Sequence, residues 1–255
     1  MSEQVEITRR GAVCELRLNR PDKRNALTLQ MYRALHEALA EAEQDAAVRV
    51  VLFSGAGTCF TAGNDLKDFL AGPAFDDPGH PTVRFVEALP AFSKPLVCAV
   101  HGPTVGIGVT MLLHCDLVLA AERSTRLLLP FVQLGLVPEA ASTLLLPRLV
   151  GPQRAAELLL LGEPLDASTA HAYGLVNRVV DDEGLMAEAR SVADALAARP
   201  PEALRRTKRL LRLDPAGEIR ERMHVEITEF SACLKGEEFA AAARAFFDKP
   251  RRGSS

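Results

Sequence analysis

The chain has 255 residues, enough for one large domain or a domain with an appendage, and enough to bury a full core. With 48% apolar residues, 25% charged residues and a formal net charge of −3, it has no basic excess to favour nucleic acid and no charge bias toward a membrane surface. Five cysteines without a C-x-x-C pair and six scattered histidines without an H-E-x-x-H spacing indicate neither a disulfide framework nor a metal site.

The N-terminal MSEQVEITRR has no apolar signal core. The most apolar stretch, 105 to 121, is interrupted by Thr110, His114 and Asp116, short of the roughly 20 residues of a spanning helix. The expectation is a cytoplasmic protein with neither a nucleic acid nor a membrane as partner. AVCELRLNRP alternates from Cys14 to Leu18, with Glu15 and Arg17 on the opposite face, which predicts a half-buried strand closed by Asn19 and Pro21. From Thr28 to about Gln44, Met31, Leu35, Ala38, Leu39 and Ala42 recur at three- and four-residue steps and predict a helix. VRVVLFSG (48 to 55) and PLVCAVHG (95 to 102) read as strands that each run into a glycine-rich turn. After the second turn a helical pattern leads to a strand at 116 to 121.

Strands alternating with helices indicate crossover connections and a largely parallel sheet, an α/β fold. Residues 70 to 90, rich in Gly and Pro, read as a variable, mobile loop that would wall the substrate pocket, since such loops carry specificity. Beyond Gly151 the predicted helices lie near 153 to 161, 166 to 173, 183 to 198, 201 to 212, 217 to 234 and 237 to 247. Pro200 and Pro201 divide an expected core of residues 1–199 from a helical segment of residues 200–255, whose apolar seam includes Ile219, Met223, Ile227 and Phe230. That seam is expected to pack on the core or on a neighbouring subunit. The closing RRGSS is set aside from the fold.

Two glycine-rich turns and one acid stand out. SGAGTCFTAGNDLKDF (54 to 69) lacks a third glycine at Phe60 and any G-K-[ST], so it fits neither a dinucleotide nor a P-loop site. Ala62 and Gly63 permit close backbone approach there, and Asn64 and Asp65 suit a helix start; a plain turn is the competing reading. In HGPTVGIGVTMLL, Gly106 and Gly108 flank Ile107 where a helix begins, and free N–H groups at such a point favour negative charge. Two such turns, each after a strand, could aim one N–H apiece at a single oxygen, an oxyanion hole in outline. Glu139, in LGLVPEAAST, is a lone carboxylate in a mainly apolar segment. It reads either as a functional acid or as a structural one, starting a helix or paired with Arg148 or Arg154.

At these residues the sequence resembles the crotonase superfamily, the enoyl-CoA hydratase/isomerase group, over nearly the whole chain. The motifs that carry the resemblance are NRPDKRNALT (19 to 28), GAGTCFTAGNDLKDF (55 to 69), KPLVCAVHGPTVGIGVTMLLHCDLVLAA (94 to 121), LGLVPEAASTLLLPRLVG (134 to 151) and AYGLVNRVV (172 to 180). The resemblance implies a spiral of ββα turns followed by C-terminal helices, assembled as a homotrimer or a dimer of trimers. It implies an acyl-CoA substrate, with CoA as the carrier and no separate cofactor, and a thioester oxygen held by the backbone N–H groups of Asn64 and Ile107. It puts Lys23, Arg24 and Ala26 along the CoA path, and the turn of Ala62, Gly63, Asp65 and Leu66 at the adenine. It counts Gly106, Thr110 and Phe131 among the residues that bind the substrate or CoA, and has Lys249 reach a phosphate from a neighbouring subunit.

Hydratases of this group carry two glutamates. Here Thr110 and Phe131 stand in their places, and Glu139 matches the single acid of the monofunctional enoyl-CoA delta isomerase branch. One base suffices to take a proton and return it two carbons away. The expected reaction is therefore isomerisation of a 3-enoyl-CoA to a 2-enoyl-CoA, with the Glu139 pKa lifted toward about 6 to 7 by the apolar surroundings of Leu136 and Val137. The alternatives are hydration, isomerisation of a cyclic or epoxide acyl-CoA, and a CoA-ester-binding protein without chemistry.

Overall fold

Four times along the chain, a strand of one large sheet is followed by a short extended stretch and then by a helix. This repeat is visible in the computed structural model, which describes residues 4–71, 75, 77, 79–212 and 215–248. The hairpin of β1 (Val5–Arg10) and β2 (Val13–Leu18) opens the large sheet. Leu27 then bridges to Asn64, and α1 (Leu29–Gln44) follows. In the second turn β3 (Val50–Gly55) leads through Thr61, bridged to Thr104, into α2 (Leu66–Ala71) and α3 (Pro81–Ala91). The third runs from β4 (Leu96–Val100) through β5 (Pro103–Val105) to α4 (Ile107–Thr110) and a 3₁₀ turn, Met111–His114. The fourth runs from β6 (Leu117–Ala121) through β7 (Arg126–Leu128) to a 3₁₀ turn, Val132–Leu134, and α5 (Ser142–Val150).

After α6 (Pro152–Ala156) and a π turn, Glu157–Leu161, come β8 (Leu165–Asp166), α7 (Ala167–Ala172) and β9 (Arg178–Val180). α8 (Leu185–Ala197) precedes the terminal helices α9 (Pro201–Leu211), α10 (Pro215–Leu234) and α11 (Glu237–Asp248). The six-stranded sheet has the order β1-β2-β3-β4-β6-β9 and is parallel apart from the β1–β2 hairpin; β5, β7 and β8 form the small sheet.

The strand sequences explain this arrangement. VVLF, LVCAV and LVLAA are continuous apolar runs because both sheet faces are covered. One face packs on α1 and α3, where Tyr32 lies 5.7 Å from Phe85 and Phe53 lies 6.5 Å from the same ring, centroid to centroid. The other face meets Leu185, Ala189, Val192 and Ala193 of α8. The β2 strand is accordingly buried on both sides, not half-buried as its alternation predicts. Val13 packs under α8, and Glu15 is buried with its carboxylate held by Arg10 at 2.9 Å and by Arg190 at 2.9 Å.

Most of the predicted helices lie close to their expected positions. The stretch 70 to 90 departs from the loop reading, because Pro81–Ala91 is a helix that starts at a proline and buries Val83, Phe85, Val86 and Leu89. Residues 72–74, 76 and 78 of that stretch lie outside the described residues. The apolar seam of the terminal helices joins the main core through Ile219, Met223, Phe230 and Phe239. No helix among the described residues is long and apolar enough to cross a membrane.

Candidate active site

The small sheet brings the two glycine-rich turns side by side. Thr61 and Thr104 are parallel bridge partners, with the Val105 N–H donating to the Thr61 carbonyl at 3.0 Å. Asn64 and Ile107 each lie three residues beyond that bridge, in the same register. Gly63 has φ +89°, and a Cβ there would stand 3.2 Å from the Val105 carbonyl oxygen, so glycine is needed for both conformation and approach. At Gly106 (φ +55°) a Cβ would meet nothing within 4 Å; the left-handed φ alone selects glycine. It turns the chain so that Ile107 opens α4. Among the described residues, neither the Asn64 nor the Ile107 amide donates to a protein acceptor.

A third segment joins them. Glu139 is 3% exposed; its Oε1 lies 3.5 Å from the Thr110 hydroxyl, and its Oε2 is buried without a hydrogen-bond partner. The same hydroxyl lies 3.5 Å from the Ile107 carbonyl, so Thr110 ties the acid to the turn that carries Ile107. On the other side the fully buried Tyr32 donates its hydroxyl to the Asn64 side-chain oxygen. Burial, and then the nearby Glu139, push the Tyr32 phenol well above its ordinary range, so it stays a donor. Burial, then the neighbouring Glu226 carboxylate, push the Glu139 carboxyl up to about 8, against a weak opposing pull from Thr110. The direction is the one expected from the apolar surroundings of Leu136 and Val137; burial is the larger cause, and Glu226, which the sequence does not reveal, adds to it.

The structural partners considered for Glu139 are engaged elsewhere. Arg148 pairs with Glu218, and the Arg154 guanidinium lies 4.4 Å above the Tyr173 ring. Glu139 precedes two left-handed alanines, Ala140 (φ 60°) and Ala141 (φ 55°), and α5 starts after them without a side-chain cap of its own. The acid therefore stands in a strained turn and caps nothing. A buried carboxyl with an unsatisfied oxygen is costly unless another molecule completes its contacts.

The remaining candidates fall in two groups. Lys23, Arg24 and Ala26 form one turn beside Ala62, whose N–H donates to the Arg24 carbonyl at 2.9 Å; Lys23 and Arg24 are exposed. Asn25, which the sequence does not single out, is the hinge of that turn. It is left-handed and fully buried, and its side-chain amide donates to the carbonyls of Ala56 and Cys59. Asp65 starts α2, as its residue type suggests, and its carboxylate accepts a 2.6 Å ion pair from Arg20; the partly buried Leu66 that follows packs against the core. Phe131 is buried in the core, and Lys249 lies outside the described residues. Tyr32 and Glu226 also escape the sequence reading, although each is a polar residue set in an apolar helix stripe. A surface cleft lined by Phe92, Arg205, Lys208, Arg209 and Arg212 includes none of Asn64, Ile107 and Glu139.

A spiral of ββα turns that brings a buried acid to two glycine-rich turns points to one class of enzymes. The enoyl-CoA hydratase/isomerase family profile matches residues 8–252, and the chain belongs to that family, the crotonase superfamily. It is 41% identical over 197 residues to 1,2-epoxyphenylacetyl-CoA isomerase of Escherichia coli K12, covering 74% of each chain. It is 36% identical over 253 residues to enoyl-CoA delta isomerase 3, peroxisomal, of Mus musculus, covering 96% of this chain and 78% of that protein. Among solved structures, an enoyl-CoA hydratase/isomerase from Pseudoalteromonas atlantica superposes with a TM-score of 0.92 at 39% identity, covering 99% of this chain and 100% of the other. The protein is thus an acyl-CoA-binding enzyme with enoyl-CoA isomerase or hydratase-type activity.

Proposed function

We propose that the protein moves the double bond of a 3-enoyl-CoA into conjugation, giving the 2-enoyl-CoA, without a resident cofactor. The observation that carries this reading is the single acid. Glu139 is buried with one oxygen unpartnered, and by the resemblance Thr110 and Phe131 fall where hydratases of the family carry their two glutamates. In this mechanism the Glu139 carboxylate takes a proton from C2 of the bound substrate. The negative charge moves to the thioester oxygen, which accepts from the amides of Asn64 and Ile107. The carboxyl then returns the proton to C4, and the double bond rests between C2 and C3. Amides aimed at a developing oxyanion contribute very roughly 10² to 10³ each in rate, and a positioned acid–base roughly 10² to 10⁴.

Glu139→Gln is nearly isosteric but cannot take the proton. It is expected to fold and to lose at least about 10² in isomerase kcat. Turnover near that of the wild type would remove Glu139 from the mechanism.

The 41% identity to an epoxyphenylacetyl-CoA isomerase supports a second reading, in which the same acid and amides act on a cyclic or epoxide acyl-CoA. Product analysis with that substrate class beside a linear 3-enoyl-CoA separates the two.

A further inference from the structure

The turn that carries Glu139 is held from a distance. Glu226 of α10, 4% exposed, accepts hydrogen bonds from the Ala141 N–H at 2.6 Å, the Thr143 N–H at 2.9 Å and the Thr143 hydroxyl at 2.6 Å. Ala141 is the N-cap position of α5, so a carboxylate from a different helix does the work that a local Ser or Asp usually does. Back-to-back left-handed alanines are unfavourable and persist only where their surroundings fix them. His114 supplies a second hold, its Nε2–H donating to the Ala140 carbonyl at 2.8 Å.

We propose that Glu226 is a positioning residue for the reaction, clamping the Ala141 and Thr143 amides so that the preceding residue, Glu139, presents its carboxyl to the substrate. This rests on the reading of Glu139 as the base. Three donors directed at two oxygens, with Arg222 nearby, favour the acceptor-only, anionic form of Glu226, against the burial that pushes its carboxyl up. A buried anion is a costly way to cap a helix, and here it also lies beside another acid, which repels the Glu139 charge and helps it keep its proton.

The other ionisable groups around Glu139 leave this role to Glu226. Tyr32 of α1 is a neutral donor to Asn64. His114 is neutral, with burial pulling its pKa down to about 4. Arg222, one turn earlier on α10, reaches the Thr143 hydroxyl at 3.2 Å, and Arg212 donates to the His114 carbonyl and to Asp116.

The test uses the full chain and three readouts: the Glu139 titration by NMR of ¹³C-labelled glutamate carboxyls, assigned against E139Q; turnover of a 3-enoyl-CoA as a function of pH; and Tm. E226Q removes the charge and one acceptor. It is expected to lower the Glu139 titration midpoint by at least about one pH unit and kcat by at least about tenfold. E226D keeps the charge but shortens the reach by one methylene. It is expected to keep the high midpoint yet lose at least about fivefold in kcat, and it decides the matter if E226Q does not fold. A fall in Tm alone, with titration and kcat per folded enzyme unchanged, would make Glu226 a structural cap and overturn the proposal. If wild type does not turn over the 3-enoyl-CoA but E226Q still lowers the Glu139 midpoint, the isomerase reading fails while the coupling between the two acids stands.

Discussion

Glu139 keeps its proton up to about pH 8 in the folded chain, whereas an unfolded glutamate loses it near 4.3. Two consequences follow from that gap. A base must be deprotonated to act, so kcat/KM of the free enzyme is expected to rise about tenfold per pH unit below pH 8 and to level off above it; a profile flat from pH 6 to 9 would contradict this. Stability moves the other way. Between about pH 4.5 and 8 the unfolded chain has released a proton that the native state retains, so this carboxyl makes folding less favourable as pH rises through that window. Gln does not titrate, so the advantage of E139Q in Tm over wild type should be larger at pH 8 than at pH 5, by at least about 5 °C in thermal melts. At this scale the sequence marks the acid, because a lone glutamate in an apolar segment is conspicuous. It does not mark Tyr32 or Glu226 as neighbours of that acid. Glu226 stands between Met223 and Phe230, at the three- and four-residue steps of the α10 seam, and such a position is a signal once the seam is recognised.

Among the elements, α1 and α3 decide how firmly the Asn64 turn is held. Phe85 of α3 is fully buried, tilted against Tyr32 and edge-on to Phe53, and Tyr32 in turn donates to Asn64. Phe85→Ala is expected to cost about 3–5 kcal/mol in urea unfolding and to lower kcat through the loosened tyrosine, whereas Phe85→Leu should cost far less. A loss under about 1 kcal/mol for the alanine variant would mean that the site does not depend on this packing. Element identity was legible wherever the period was long. α1, α8 and the terminal helices show their apolar stripes, and β3, β4 and β6 their apolar runs. The strands of the small sheet were not: Pro103–Val105, Arg126–Leu128 and Leu165–Asp166 have only two or three residues each, too short for alternation to emerge. Pro81–Ala91 was concealed by the Gly- and Pro-rich sequence before it, although a proline in the first turn of a helix is favourable.

For the whole molecule, the spiral turns put residues far apart in sequence into one place: Lys23 and Arg24 from the first turn, Ala62 and Asn64 from the second, Ile107 from the third and Glu139 from the fourth. The motifs of the resemblance identified the turns, while their register came only from the bridges of Leu27 with Asn64 and of Thr61 with Thr104. Lys23 and Arg24 are exposed beside Ala62, and contacts of such groups with phosphate are charge-assisted and weakened by salt. Lys23→Ala combined with Arg24→Ala should therefore raise KM for acyl-CoA several-fold while leaving kcat nearly unchanged; an unaltered KM at both low and high salt would move the CoA path elsewhere. The central claim is that one acid free to meet substrate, with Glu226 committed to the Ala141 and Thr143 donors, makes this enzyme an isomerase. The most direct measurement is kcat/KM of the native enzyme for isomerisation of a 3-enoyl-CoA beside that for hydration of the matching 2-enoyl-CoA. Isomerisation should exceed hydration by at least about 10²; hydration equal to or faster than isomerisation would contradict the claim.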